Sequence, residues 1–357
     1  MKKMTMSKTS KQNFITYAMV IVAYVIFQTL SATGNLSSLM QGLLVPLCTY
    51  SILAVSLNLT VGVLGELSLG HAGFMCIGAF SSAFFTACMK DTITNDLLRF
   101  ILAFIVAAVC AGICGVLIGI PVLRLKGDYL AIVTLAFGEI IMNIINALYV
   151  GRDESGFHFS MKDSMSLNMT ENGKIIIKGA QGITGTARQS TFTIGIILLL
   201  LTLVIVLNLM NSRSGRAIMS IRDNRIAAES VGIDITKYKI MAFAISASLA
   251  GLAGCLYAHN LSSLTALPKN FGYNMSIMIL VYVVLGGMAN MRGSIIAAVL
   301  ITMIPELLRE IGEYRMLIYA IIMIVMMIFN WSPKVREWRE AHSIKKAFHK
   351  KNAKEAE

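Results

Sequence analysis

Six polar side chains stand where an otherwise apolar sequence has no ordinary use for them: Asn58, Glu66, Ser68, His71, Thr134 and Glu139. The first four fall within LNLTVGVLGELSLGHAGF (57–74), which also carries Gly62, Gly65, Gly70 and Gly73. The other two fall within GDYLAIVTLAFGEI (127–140), where Asp128 is placed to cap a helix. Amide, carboxylate, hydroxyl and imidazole groups hydrogen-bond polar solutes. In a hydrocarbon layer they are costly enough to mark a solute or ion route. The glycine spacing favours an interrupted or re-entrant helix over 57–74, because non-helical backbone in a membrane is tolerated only inside protein or beside a water-filled cavity. A short cytoplasmic turn between two ordinary spans is the other reading. Glu139, an acid in mid-helix, is expected to face the interior and find a donor. There is no P-loop, HExxH or nucleophile elbow, and His71, Glu66 and Glu139 do not form a nucleophile–base or metal set. The chain is therefore expected not to be an enzyme, not to hydrolyse ATP itself, and to need no cofactor or metal.

Composition identifies the elements that hold these groups. Of 357 residues, 56% are hydrophobic and 14% charged, and the mean hydropathy is +0.71; a soluble domain has about a quarter of its residues charged. Uncharged runs of about 20 residues, each able to cross a bilayer as a helix, recur along the chain. The alternation required by a β-barrel is absent. The expectation is an all-α polytopic helix bundle with about ten transmembrane helices, at 14–33, 39–60, 71–89, 97–121, 129–150, 191–210, 240–259, 273–289, 294–311 and 316–331. These form a single transmembrane domain over 1–331, followed by a basic tail over 332–357. Lys2, Lys3, Lys8 and Lys11 precede an uncleaved first anchor, which places both termini in the cytoplasm. That topology puts 21 of the 31 Lys and Arg on the inner side. The tail lysines 345, 346, 350, 351 and 354 then lie against anionic lipid, so the charge of +12 needs no nucleic acid as partner. The six cysteines show no metal-ligand spacing and read as packing residues. Ser246, Ala250, Gly254 and Ala258 repeat every four residues, a stripe that lets helices approach closely within a bundle or at a subunit interface.

A polar segment, 212–239, interrupts the apolar runs in mid-chain. Ile218, Ile221, Ile226 and Val231 form an apolar stripe opposite Arg213, Arg216, Arg222, Asp223 and Arg225, and Gly232 ends the helix. An amphipathic helix of this kind fits a groove in a soluble partner. The 151–190 loop is the longest external segment. It is expected either to receive an external protein or to be a solvated connector.

These motifs, with Gly182-Ile183-Thr184-Gly185, Val284-Leu285-Gly286-Gly287 and Pro305-Glu306-Leu307-Leu308-Arg309, resemble those of the LivM-type permease subunit of the branched-chain amino-acid ABC transporter family. The resemblance covers nearly the whole chain. It implies a bacterial plasma-membrane importer in which this subunit pairs with a LivH-type permease. It also implies two cytoplasmic ABC ATPase subunits and an external solute-binding protein. Segment 211–239 resembles the coupling loop of such importers, with Ala227, Ala228 and Gly232 at its small-residue positions and Arg216, Arg222 and Asp223 beside them. Arg225 and Glu66 depart from the family pattern, which more often has an acid and an uncharged residue there. The sequence shows no clear carboxylate-binding arginine inside a span. Related permeases carry urea, short amides or nucleosides, and an ion-gradient-driven secondary transporter is the rival from another class.

Overall fold

The computed structural model describes residues 8–331 except 35, 91, 126, 154–155 and 170–172. The expected basic tail, 332–357, lies outside the described residues. The chain divides into two compact units, 1–299 and 300–357. The first unit is a helix bundle with a small β-layer at one end.

Its helices are α1 (Lys8–Ala32), α2 (Ser38–Asn58), α3 (His71–Cys88), α4 (Asp96–Val122), α5 (Asp128–Ala147), α6 (Phe192–Asn211), α7 (Arg213–Asp223), α8 (Arg225–Ser230), α9 (Ile235–Ala258), α10 (Pro268–Phe271) and α11 (Tyr273–Gly286), with α12 (Met291–Leu307) running into the second unit. That unit continues through a kinked turn at Arg309–Tyr314 to α13 (Arg315–Trp331). Among the described residues, seven helices are long and apolar enough to cross a membrane. Helices also stand at the three remaining expected positions, but α11, α12 and α13 have 14, 17 and 17 residues. At ~1.5 Å per residue, α11 reaches only ~21 Å, short of a ~30 Å hydrocarbon core.

Helix α2 is the axis of the bundle. Ile52, Leu53, Ala54, Val55 and Leu57 are fully buried, so this half of the helix is enclosed on all sides rather than along one stripe. Helix α9 packs against α3 and α4, and here the small-residue stripe has its use within the chain. A Cβ on Gly254 would lie 2.1 Å from the Met75 carbonyl oxygen, and one on Gly251 would lie 2.5 Å from that of Ala107. Only bare backbone fits at these two crossings. By contrast α4 leaves Ile101, Ile105, Val109, Ile113 and Leu117 exposed along one face, as a lipid-facing helix does.

The expected external loop, 151–190, carries a small sheet. Strands β1 (Tyr149–Asp153), β2 (Gly156–Ser160) and β3 (Lys174–Lys178) form an antiparallel sheet in the order β2-β1-β3, with Val150 opposite Phe159 and Ile177. Strand β4 (Ile183–Thr184) pairs with β5 (Ser263–Leu264), so the Gly182–Gly185 motif is stitched to the end of α9.

Candidate functional site

The interruption expected over 57–74 is present. Helix α2 widens into one π-helical stretch, Leu59–Leu64, ended by Gly65 at φ 80°, a left-handed conformation that suits glycine. Backbone from Glu66 to Gly70 is non-helical before α3 starts at His71. Leu69 N donates to Thr134 Oγ1 at 3.0 Å, and that hydroxyl donates to Ala131 O at 2.9 Å. Thr134 is the seventh residue of α5, so the contact lies ~10 Å along that helix. Helix α3 therefore starts within the bundle, with Ala72 N bonded to Ser276 Oγ of α11 at 3.2 Å. The helix is thus interrupted by non-helical backbone packed against α5 and the polar segment.

The polar side chains divide by task. Asn58, fully buried, donates to Ser294 Oγ at 2.8 Å and accepts from Ala289 N at 2.8 Å, tying α2 to the turn between α11 and α12. His71 Nε2 lies 2.7 Å from Ser56 Oγ. The Ser56 hydroxyl already donates to Leu53 O at 2.9 Å, so the imidazole donates from Nε2. Ser68 is buried, and among the described residues its hydroxyl has no hydrogen-bond partner. Glu66 pairs with Lys239 of α9, whose side chain is 4% exposed. The acid that departs from the family pattern is thus matched by a buried cation.

The polar segment lies directly against this break. Three side-chain caps divide it: Ser212 accepts from Gly215 N at 3.1 Å, Asn224 from Ala227 N at 3.1 Å and Asp234 from Lys237 N at 3.1 Å. The single helix expected there is broken at Asn224, whose extended backbone starts α8. The expected apolar stripe splits accordingly. Ile218 and Ile221 are buried against the bundle, while Ile226 and Val231 are 81% and 76% exposed. Ala228 is buried with Ile221 and Ile235, whereas Ala227 is exposed. Gly232 has φ 84° with open space around it, so a side chain there meets backbone strain but no clash. Arg216 Nη1 donates to Asn211 O at 3.1 Å. Arg222 bonds Asp223 at 2.9 Å and donates from Nη1 to Gly62 O at 2.9 Å, its stem packed over Gly65. One arginine therefore joins the polar segment to the π-helical end of the broken helix, a type of distortion frequent at functional sites.

Glu139 stands apart from the break. Its Oε1 accepts from Tyr273 N at 2.6 Å, capping the first turn of α11. Because Glu139 is in the middle of α5, α11 begins inside the bundle, which accounts for its shortness. A carboxylate at a helix N-terminus meets both the unpaired amide and the positive end of the dipole. Glu139→Ala is expected to lower the stability of the purified transporter by about 1 kcal/mol, and Glu139→Gln, which keeps an acceptor, to recover most of it. Unfolding in a detergent titration checks this.

A family profile described as the permease component of the branched-chain amino acid transport system matches residues 39–329. The chain belongs to that family. It is 33% identical over 294 residues to the high-affinity branched-chain amino acid transport system permease protein LivM of Salmonella typhimurium, covering 80% of this chain and 67% of that protein. LivM of Escherichia coli strain K12 matches with the same identity and coverage. No solved structure matches the chain. This permease is thus a multi-pass protein of the bacterial inner membrane and a subunit of an ABC importer, in a family of transport components rather than enzymes.

The residues that sequence reasoning misses in the permease are the partners. Lys239 and Ser276 complete the break, and Ser56 orients His71. Of these only Lys239 carries a signal, being a lysine in the polar segment next to an apolar run. Its partner lies 173 positions away.

Proposed function

We propose that this permease moves branched-chain amino acids inward, driven by two cytoplasmic ATPase subunits. It pairs with a LivH-type permease, and an external solute-binding protein delivers the substrate. Transport proteins named for branched-chain amino acids, at 33% identity, support the substrate. The observation that carries the mechanism is the Arg222–Gly62 bond.

The end of the bundle bearing α7 and α8 faces the cytoplasm in this reading. Helix α8 offers Ile226 and Val231 to the ATPase, with Arg225 and Glu229 beside them, and α7 transmits the resulting displacement through Arg222 to the broken helix. ATP-driven closure of the ATPase pair pushes the loop as one body. Segment 65–70 responds because side chains hold it at few points: Thr134 Oγ1 accepts from Leu69 N, Lys239 pairs with the Glu66 side chain, and Arg222 bonds Gly62 O just before it. Ser68 and His71 line the route there, with Asn58 and Thr134 supporting it. A passage with few fixed polar groups binds weakly, which lets substrate leave.

Ile226→Asp tests the docking face without touching the bundle core. It is expected to leave the subunit folded and membrane-inserted, and to weaken co-purification of the ATPase subunits by about tenfold or more, as losing an apolar anchor does. Undiminished co-purification would remove α8 from the interface.

A further inference from the structure

Helices α3 and α9 bring their N-terminal ends to the break and their C-terminal ends to a second polar site. There the 183–187 segment lines a partly open pocket together with Thr86, Lys90, Arg99 and His259. Among the described residues, no acidic side chain lines it.

Arg99 is the unusual member. It sits in the first turn of α4, inside a stretch expected from sequence to be membrane-spanning, with its side chain only 5% exposed. Its Nη1 donates to Ile93 O at 2.9 Å and its Nη2 pairs with Asp96. Its Nε is buried, and among the described residues it has no partner. A buried charged donor left unsatisfied costs about 1–3 kcal/mol or more, which an anion in the cavity would offset. His259 supplies orientation instead of charge. Its two ring nitrogens lie 3.0 Å from Thr86 Oγ1 and 3.0 Å from Cys255 O. Ala83, Ala87 and Ile183 give the cavity an apolar wall beside the cations. One N–H, one ammonium and a hydrocarbon wall match a small molecule with a carboxylate at one end and an aliphatic group at the other.

We propose that this cavity binds the carboxylate of the amino acid being handed on to the permease, with the Arg99 Nε–H and the Lys90 ammonium as its donors. The Gly182–Gly185 motif then has a task as one wall of the cavity. The assignment rests on the import reading and on its sidedness.

Ala87→Cys places a thiol on an exposed cavity-lining position, and thiosulfonate reagents bearing a sulfonate or a trimethylammonium group report the local field. The full transporter is labelled in spheroplasts washed free of the binding protein, with rates normalised to those of a free thiol. The sulfonate is expected to react about tenfold faster than the cation. Arg99→Gln or Lys90→Gln is expected to reduce that preference, and Arg99→Lys to keep most of it. Lys90 is exposed, so its variant remains informative if Arg99→Gln fails to fold. Millimolar leucine is expected to slow labelling while leucinol, which lacks the carboxylate, does not. Equal rates for both reagents, or equal protection by leucinol, would overturn the proposal. Protection that appears only with added binding protein and no leucine would assign the anion to that protein's surface and overturn it too. A thiol that reacts only from the cytoplasmic side, in inverted vesicles, would instead overturn the sidedness.

Discussion

Arg222→Ala is expected to cut ATP-dependent uptake by about tenfold while the ATPase subunits stay bound. A hydrogen bond from a charged donor contributes about 1.5–3 kcal/mol, and each ~1.4 kcal/mol is a factor of ten. The guanidinium side chain is 35% exposed, so the lower end of that range applies. The loss falls on coupling because the bond from Arg222 Nη1 to Gly62 O joins two parts with separate tasks, one that meets the ATPase and one that shapes the route. Arg222→Lys retains charge but cannot hold Gly62 O and Asp223 together in a planar fork, so it should fall between wild type and Ala. Uptake and ATP hydrolysis measured in the same proteoliposomes decide it. Hydrolysis continuing without uptake is the expected pattern, and unchanged uptake per ATP would show that Arg222 transmits nothing.

The second large effect belongs to the Glu66–Lys239 pair. Lys239→Met leaves a carboxylate 17% exposed with its cation removed, and breaking a buried pair from one side costs about 3–5 kcal/mol. Glu66→Gln combined with Lys239→Met removes both charges and should regain at least half of that loss. The midpoint of thermal denaturation of the assembled complex reads this directly. Additive destabilisation in the double variant would mean that the two groups act independently and that Glu66 is not there to be neutralised.

These two links show where the sequence is legible and where it is not. The break is readable because glycines at 62, 65, 70 and 73 among polar residues are a local pattern, and the long apolar helices are readable for the same reason. Partners such as Lys239 for Glu66, or Tyr273 N for Glu139, depend on chain segments more than 130 positions apart. No local pattern encodes them. Glu139 is legible as a mid-helix acid needing a donor, but not as the cap of a half-length helix. The shortness of α11 is hidden because its apolar run continues into the Gly286–Gly287 turn. In the polar segment the stripe is correctly apolar, yet Asn224 divides it, since an asparagine cap interrupts periodicity without changing it. The β1–β3 sheet is missed because its strands have only five residues each and β3 pairs with β1 across the intervening β2 and loop. The cavity arginine, Arg99, is concealed by its place at the end of an apolar run.

The central claim, that separate cytoplasmic ATPase subunits drive this route through α7 and α8, is tested most directly by leucine uptake into proteoliposomes. These would hold the permease pair with or without the ATPase subunits, and the binding protein would be supplied outside. The expected result is uptake only when ATPase and internal ATP are both present, unchanged when proton and sodium gradients are collapsed. Uptake that persists without the ATPase and follows an ion gradient would contradict it.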